Sequence, residues 1–317
     1  MSPGSKSDPW PSEGTRLAGR IQNLRVRAQV VQWIRTFFID QDYLEIETPQ
    51  LISAPAPEIH IEAVEADGRF LHPSPELCMK RLLAAGLPRI FQISKCFRKG
   101  ERGDLHLPEF TLLEWYRTGG DYRVLMEDCE ALIRFLAQRL IGKARLSYLG
   151  RDIDLAPPWE RLSVRAAFDR YARLSPDQAL EKGCFDQVLV EEIEPRLGNL
   201  RPTFLYEYPA PLAALARLNP DDPTLSERFE LYIAGMELAN GFSELNDPRE
   251  QRARFEAERE QRAAAGKKAY PLPERFLQSL EDMPEAAGIA LGVDRLVMVF
   301  CGASRIDQVV SFTPEET

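Results

Sequence analysis

Apolar positions recur at helical spacing from Leu17 through Val26, Val30, Ile34, Phe37 and Phe38, and predict a long first helix ending near Asp40. Residues 43–48 then alternate like a strand and stop at Pro49. Ile59, Ile61 and Ala63 alternate with polar residues, which predicts another strand, and Asp67-Gly68 signals a hairpin before Phe70. Ser74-Pro75-Glu76 reads as an N-cap with proline at the first helical position, opening a helix over 77–83. Two β-type runs, 89–97 and 109–116, flank a polar loop and predict a long-looped antiparallel hairpin. Along its second strand Phe110, Leu112, Glu114 and Tyr116 share one face, and Glu109, Thr111, Leu113 and Trp115 share the other. One face thus carries a ring, an acid and a phenol in series.

The pattern continues with a long amphipathic helix over 122–140 and a Ser163-capped helix over 164–173. Residues 174–200 have weak helical period, and 203–208 form a strand closed by Pro209. Residues 228–245 read as strand, tight turn at Ile233-Ala234-Gly235, and strand; a charged helix over 247–265 follows. Residues 288–293 form a short apolar strand that runs into a helix over 294–300. No internal repeat is present. Strands linked by hairpins and long segments predict an α+β fold, an antiparallel sheet flanked by helices. Residues 1–15, rich in Pro, Ser and Gly, are expected to form a disordered tail before a single domain over 16–317.

Composition narrows the function. With 317 residues and 44% apolar content the chain is long enough for a large core. A net charge of -9 argues against a dedicated nucleic-acid binder. The five cysteines are scattered and form no C-x-x-C pair, which points to reduced thiols and a cytoplasmic location, and the three histidines make no zinc pattern. No run approaches a membrane span, so no membrane partner is expected.

Chemistry concentrates in two stretches. Arg98 and Arg295 sit between apolar flanks and suit bidentate capture of phosphate or carboxylate oxygens. Glu230 and Glu237 lie on either side of the Ala234-Gly235 turn. They are expected to face each other across the ladder, where Mg²⁺ shared with phosphate oxygens would offset their repulsion. Asn240-Gly241 permits close ligand approach, and Phe242 and Glu244 share a face. With Glu114 and Tyr116 they offer acids and rings to an ammonium on an apolar stem, and Glu76 adds a third acid. No glycine-rich phosphate loop of the Walker type occurs.

These residues carry a resemblance. Phe97-Arg98 through His106, then Pro108-Glu109-Phe110-Thr111 and Glu114-Trp115-Tyr116, resembles motif 2 of class II aminoacyl-tRNA synthetases. Residues 288–296, with Gly292 and Arg295, resemble motif 3, and the helix and strand ending at Pro49 resemble motif 1, which builds the dimer interface in that family. Residues 237–247 resemble the lysyl-tRNA synthetase subgroup in particular. The likeness runs from about Arg16 to the C-terminus. Lysyl-tRNA synthetases carry an anticodon-binding domain before motif 1. Only a short segment precedes it here, so a catalytic core alone is expected, as in the paralogues that attach (R)-β-lysine to elongation factor P. Ala290 stands where lysyl synthetases have glycine, and its methyl would disfavour one amine position.

The resemblance implies an ATP-dependent, AMP-forming ligase and a homodimer. Arg98 and Arg295 would hold phosphates, with Lys99, Gly100, Glu101, His106, Phe110, Glu237, Leu238 and Gly292 also at ATP, and Glu230 and Glu237 at Mg²⁺. Ser74, Pro75, Glu76, Glu114, Tyr116, Asn240, Phe242, Glu244 and Ala290 would bind the amino acid. Gly100, Glu101 and Leu107 depart from the motif 2 pattern, which usually has glutamate two places after the arginine and asparagine after the histidine. Two alternatives stand beside this reading. One is a truncated lysyl-tRNA synthetase-like enzyme using α-lysine for tRNA or another acceptor, though the acidic balance argues against tRNA. The other is a regulatory paralogue without chemistry.

Overall fold

A computed structural model describes residues 13–317. Of the tail expected over 1–15, residues 1–12 lie outside them, and helix already begins at Glu13. In chain order the first elements are α1 (Glu13–Ile39), β1 (Leu44–Glu45), β2 (Leu51–Ile52), β3 (Val64–Ala66), β4 (Arg69–Leu71) and α2 (Glu76–Ala84). The long hairpin β5 (Arg89–Phe97) and β6 (Glu109–Thr118) leads into α3 (Tyr122–Ile141). The middle of the chain holds β7 (Arg145–Tyr148), β8 (Arg151–Asp154), β9 (Glu160–Ser163), α4 (Val164–Tyr171), α5 (Pro176–Glu181) and α6 (Phe185–Val188). Then come β10 (Thr203–Pro209), β11 (Leu225–Ile233), β12 (Met236–Ser243), α7 (Pro248–Ala264), α8 (Glu274–Ser279), β13 (Ala286–Gly292) and α9 (Val293–Cys301).

Eight strands form the main sheet in the order β1-β5-β6-β13-β12-β11-β10-β9. All neighbouring pairs are antiparallel except the two edge pairs, β1 with β5 and β9 with β10. The fold is therefore α+β. The predicted strand over 43–48 shrinks to two residues, and the alternating stretch 59–63 is loop. Its carbonyls are taken by side chains of Arg262 and Lys267 instead of a ladder, so alternation there had no sheet to join. The hairpin β7–β8 and the edge strand β9 had no clear signal, being short and polar.

Sequence alternation decides what each face of the sheet does. Leu113 and Trp115 point into a core shared with α1, α3 and α9. Phe38 is the hub of that core: its ring lies 5.0 Å from Phe91, 5.1 Å from Tyr43 and 5.1 Å from Trp115. The opposite face is left open as a cavity, bordered by α2, α7 and the 53–63 loop. Helix α9 is fixed to the sheet by Asp294, whose Oδ2 accepts from Thr111 N at 2.7 Å and whose Oδ1 accepts from Arg27 Nη1 at 2.5 Å. Arg27 Nη2 donates to Thr111 Oγ1 as well. That triangle sets where Arg295, one residue on, can reach.

Phe38→Ala removes the ring around which four aromatics pack, and we expect a loss of about 3–5 kcal/mol. Urea unfolding of the variant and the parent checks it; a change below about 1 kcal/mol would show that the site collapses without cost.

Candidate functional site

The site is built from rows of residues that lie side by side across four strands. In one row Tyr116, Gly288, Phe242 and Arg228 pair in sequence from β6 through β13 and β12 to β11. In the next row stand Glu114, Ala290, Asn240 and Glu230. All of these residues except the buried Glu230 line a cavity of about 550 Å³, within the usual range for a small-molecule site. Glu58, Ser74, Glu76, Arg98, His106, Phe110 and Arg295 complete its walls.

The β11–β12 register corrects one expectation. Glu230 pairs with Asn240, and Glu237 pairs with Tyr232, so the two acids do not face each other. The turn at Ala234 and Gly235, with φ of 56° and 79°, closes the hairpin tightly. A bulge then shifts the register between Leu231 and Tyr232. That extra residue brings Glu237 to the same face as Asn240 and Phe242, which plain alternation would not do.

At one end the chemistry is cationic. Arg295 Nη1 donates to Glu237 O at 2.8 Å and to Glu237 Oε2 at 3.2 Å, Nε donates to Leu105 O, and Nη2 donates to His106 Nε2 at 2.7 Å. His106 must therefore carry its ring proton on Nδ1, and burial together with Arg295 holds its pKa below the ordinary value. The Arg98 guanidinium lies 5.0 Å from the centre of the Phe110 ring and 3.8 Å from Glu101. The departures from the motif 2 pattern have local reasons. Gly100 sits at φ 81°, where a side chain is strained, and Leu107 is buried in the main core.

At the other end the chemistry is anionic. Ser74 Oγ donates to Glu114 Oε1 at 2.6 Å, and Tyr116 Oη donates to Glu114 Oε2 at 2.8 Å. Ser74 Oγ also accepts from Glu76 N, so it opens α2 although Pro75 holds the cap position. Burial, reinforced by the charge of Glu76, pushes the Glu114 carboxyl up to about 7. Gly288 is needed here, because a Cβ on it would come within 2.2 Å of the Tyr116 ring and 2.3 Å of Glu244 Oε1.

Lys80 is the residue that sequence reasoning missed. It is fully buried, and its ammonium pairs with Glu76 at 2.5 Å and with Glu244, 5.0 Å from the Phe242 ring centre. An internal ammonium thus occupies the ring-and-acid pair expected to serve a ligand. Burial lifts the Glu244 carboxyl and Lys80 opposes that shift. Three carboxylates, Glu76, Glu114 and Glu244, meet one lysine, so three minus one leaves two negative charges when all are ionised. The i, i+4 spacing of Glu76 and Lys80 was the available signal.

Arg228 was missed too. It donates to Asn240 Oδ1, Leu212 O and Glu230 Oε1, and Glu230 Oε2 accepts from Tyr208 and Tyr232 hydroxyls at 2.6 Å each. Glu230 is thus buried and well bonded, while Glu237 opens to the cavity. Burial raises the Glu230 carboxyl, Arg228 lowers it, and Glu237 raises it. Glu194 is pushed up to about 7 by burial and by Glu230. Among the described residues no three such side chains converge as metal ligands, and with the Glu230 oxygens taken by Arg228, Tyr208 and Tyr232, Glu237 is the one of these acids that opens to the cavity.

Two outcomes follow from the acidic end. Lys80→Met should cost about 3–5 kcal/mol by stranding Glu244. Chemical denaturation should show a larger defect at pH 8 than at pH 5, because a protonated Glu244 no longer needs the ammonium. Glu114 holds its proton above the ordinary 4.5, so the folded state binds more protons than the unfolded one and stability falls as pH rises from about 4.5 to about 7. Glu114→Gln should flatten that slope in a pH series of melting temperatures; an unchanged slope would clear Glu114.

The family described as tRNA synthetases class II (D, K and N) matches residues 15–316. The chain is 40% identical over 311 residues to a Vibrio cholerae protein named elongation factor P–(R)-beta-lysine ligase, covering 92% of this chain and 95% of that one. A Proteus mirabilis protein of the same name is 41% identical over 314 residues with the same coverage. The lysine–tRNA ligase of Moorella thermoacetica is 37% identical over 314 residues, 90% of this chain and 64% of that protein. With the match spanning nearly its whole length, the chain belongs to the class II tRNA synthetase family of the D, K and N type.

Proposed function

We propose that the chain is an ATP-dependent, AMP-forming ligase that activates (R)-β-lysine and passes it to a lysine ε-amine of elongation factor P. The observation that carries the reading is the separation of charge along one cavity. Two arginines stand at one end, and three carboxyls that meet a single lysine stand at the other. β-Lysine carries two ammonium groups and one carboxylate, which matches that polarity. The relatives named for this reaction, at 40–41% identity, support the assignment.

The amine end of the substrate meets Glu76, Glu114 and Tyr116, with Ser74, Pro75, Asn240, Phe242 and Glu244 supporting them. Ala290, between Glu114 and Asn240 in the sheet, sets how deep an amine descends. The substrate carboxylate then points to the cationic end and attacks the α-phosphorus of ATP in line, releasing pyrophosphate. Arg98 neutralises the charge growing at the α-phosphate, and Arg295 holds the γ-phosphate end. Phe110 stacks on adenine, Gly292 gives backbone room, and Lys99, Gly100, Glu101, His106 and Leu238 border the nucleotide. Mg²⁺ held by Glu237, with Glu230 behind it, would supply further charge neutralisation on the phosphates. No side-chain nucleophile takes part.

A homodimer through α1 and β1 is part of the proposal. Ile39 and Leu44 are exposed there, and β1 is a sheet edge. The tail-plus-catalytic-domain division at residue 15 stands as a proposal also. No helix among the described residues is long and apolar enough to cross a membrane. A cytoplasmic location follows from the proposed partner, a translation factor. The lysine–tRNA ligase relative keeps one other reading open, α-lysine activation for tRNA.

Pyrophosphate exchange with β-lysine, α-lysine or no amino acid tests the assignment, and β-lysine should drive it best. Exchange driven best by α-lysine would sink the β-lysine preference, and none with either amine would sink the enzyme. Ala290→Gly removes one methyl and should raise α-lysine use relative to β-lysine by roughly tenfold, about 1–2 kcal/mol of discrimination.

A further inference from the structure

Glu58 lines the cavity and has no role in the scheme above. Its main chain is clamped from all sides. Arg262, itself fully buried, donates to Glu58 O at 2.7 Å and to Ile61 O at 2.9 Å. Lys267 donates to Ile59 O, Ile59 N donates to Glu258 Oε2, and Lys99 N donates to Glu62 O. Such fixing of a loop costs conformational entropy. Yet the Glu58 carboxylate makes no hydrogen bond or ion pair among the described residues, whereas Glu76, Glu114, Glu230 and Glu244 all do.

Its neighbours locate it. Glu58 shares the cavity wall with Glu76 of α2, Arg98 of the β5–β6 loop, Glu258 of α7 and Arg228 of β11, and with His60 of its own loop. Glu76 belongs to the amine end and Arg98 to the phosphate end. Glu58 therefore opens, without a partner, into the same cavity that joins the two ends, in which the acyl–phosphate bond of an adenylate must lie. We infer that Glu58 is the general base of acyl transfer, taking the proton from the acceptor lysine ammonium. The inference rests on the acceptor reading given above.

The step balances as follows. The acceptor –NH₃⁺ gives one proton to the Glu58 carboxylate and becomes –NH₂. Its lone pair forms a C–N bond to the acyl carbon, the C–O bond to phosphate breaks, and AMP leaves with the electron pair. The nitrogen's second excess proton goes to solvent, and Glu58 later returns its own. Burial, with Glu76 adding to it and Arg98 opposing, pushes the Glu58 carboxyl up to about 7, which suits a base working at neutral pH.

The test uses the full chain with ATP, β-lysine and purified elongation factor P. In Glu58→Gln the defect in transfer from preformed adenylate should exceed any defect in pyrophosphate exchange by on the order of 10²-fold at pH 7. The gap should narrow as pH rises toward the lysine value of about 10.4, and Glu58→Asp should recover part of the rate. Hydroxylamine, already uncharged at neutral pH, should discharge the adenylate of both proteins at similar rates. Transfer by Glu58→Gln at the parental rate would overturn the inference. So would an equal loss toward hydroxylamine, which would make Glu58 a positioning residue. A parent protein that forms the adenylate but never acylates the factor would overturn the acceptor reading and the base role together, a result distinct from the other two.

Discussion

The register of four antiparallel strands, β6-β13-β12-β11, is the constraint on which the site depends. Backbone hydrogen bonds permit only discrete alignments, and a slip of one residue would turn every site side chain into the core. In the observed alignment two rows bring together residues more than a hundred positions apart, such as Glu114 and Ala290. The buried aromatic hub around Phe38 holds one face of that sheet shut. The Asp294–Arg27–Thr111 triangle then ties the last helix to it.

Upon that frame electrostatics divides the cavity. Arginines at one end are held by polar partners that orient them without neutralising them fully; Arg295 leans on two carbonyls, a histidine and one carboxylate. At the other end carboxylates are crowded in a low-dielectric space, and one internal lysine is too few to balance them. An unbalanced buried charge is costly, and the cost is relieved when a cation of complementary shape arrives. The raised carboxyl values have one cause, burial of more acid than base.

Much of this was legible in the chain. The hairpin 89–116 and the parity of Phe110, Leu112, Glu114 and Tyr116 came through because long strands alternate strongly when one face is core. The helices over 122–141 and 248–264 were equally clear, and the caps at Ser163 and Asp247 explain their starts or those of their neighbours. The family likeness of the three motifs rests on those same residues.

Other features were decided only in three dimensions. The bulge that puts Glu237 on the face of Asn240 is a tertiary adjustment, because plain alternation would place the two on opposite faces. The burial of Lys80 against Glu244, from a distant strand, is likewise a tertiary event. The stretch 59–63 read as a strand because its alternation was real, but Lys267 and Arg262 took the carbonyls of Ile59 and Ile61 first. Local sequence determined elements and faces, through side-chain periodicity and turn chemistry. Which charges meet was left to long-range packing, since Coulomb energy depends on distances the chain order does not encode.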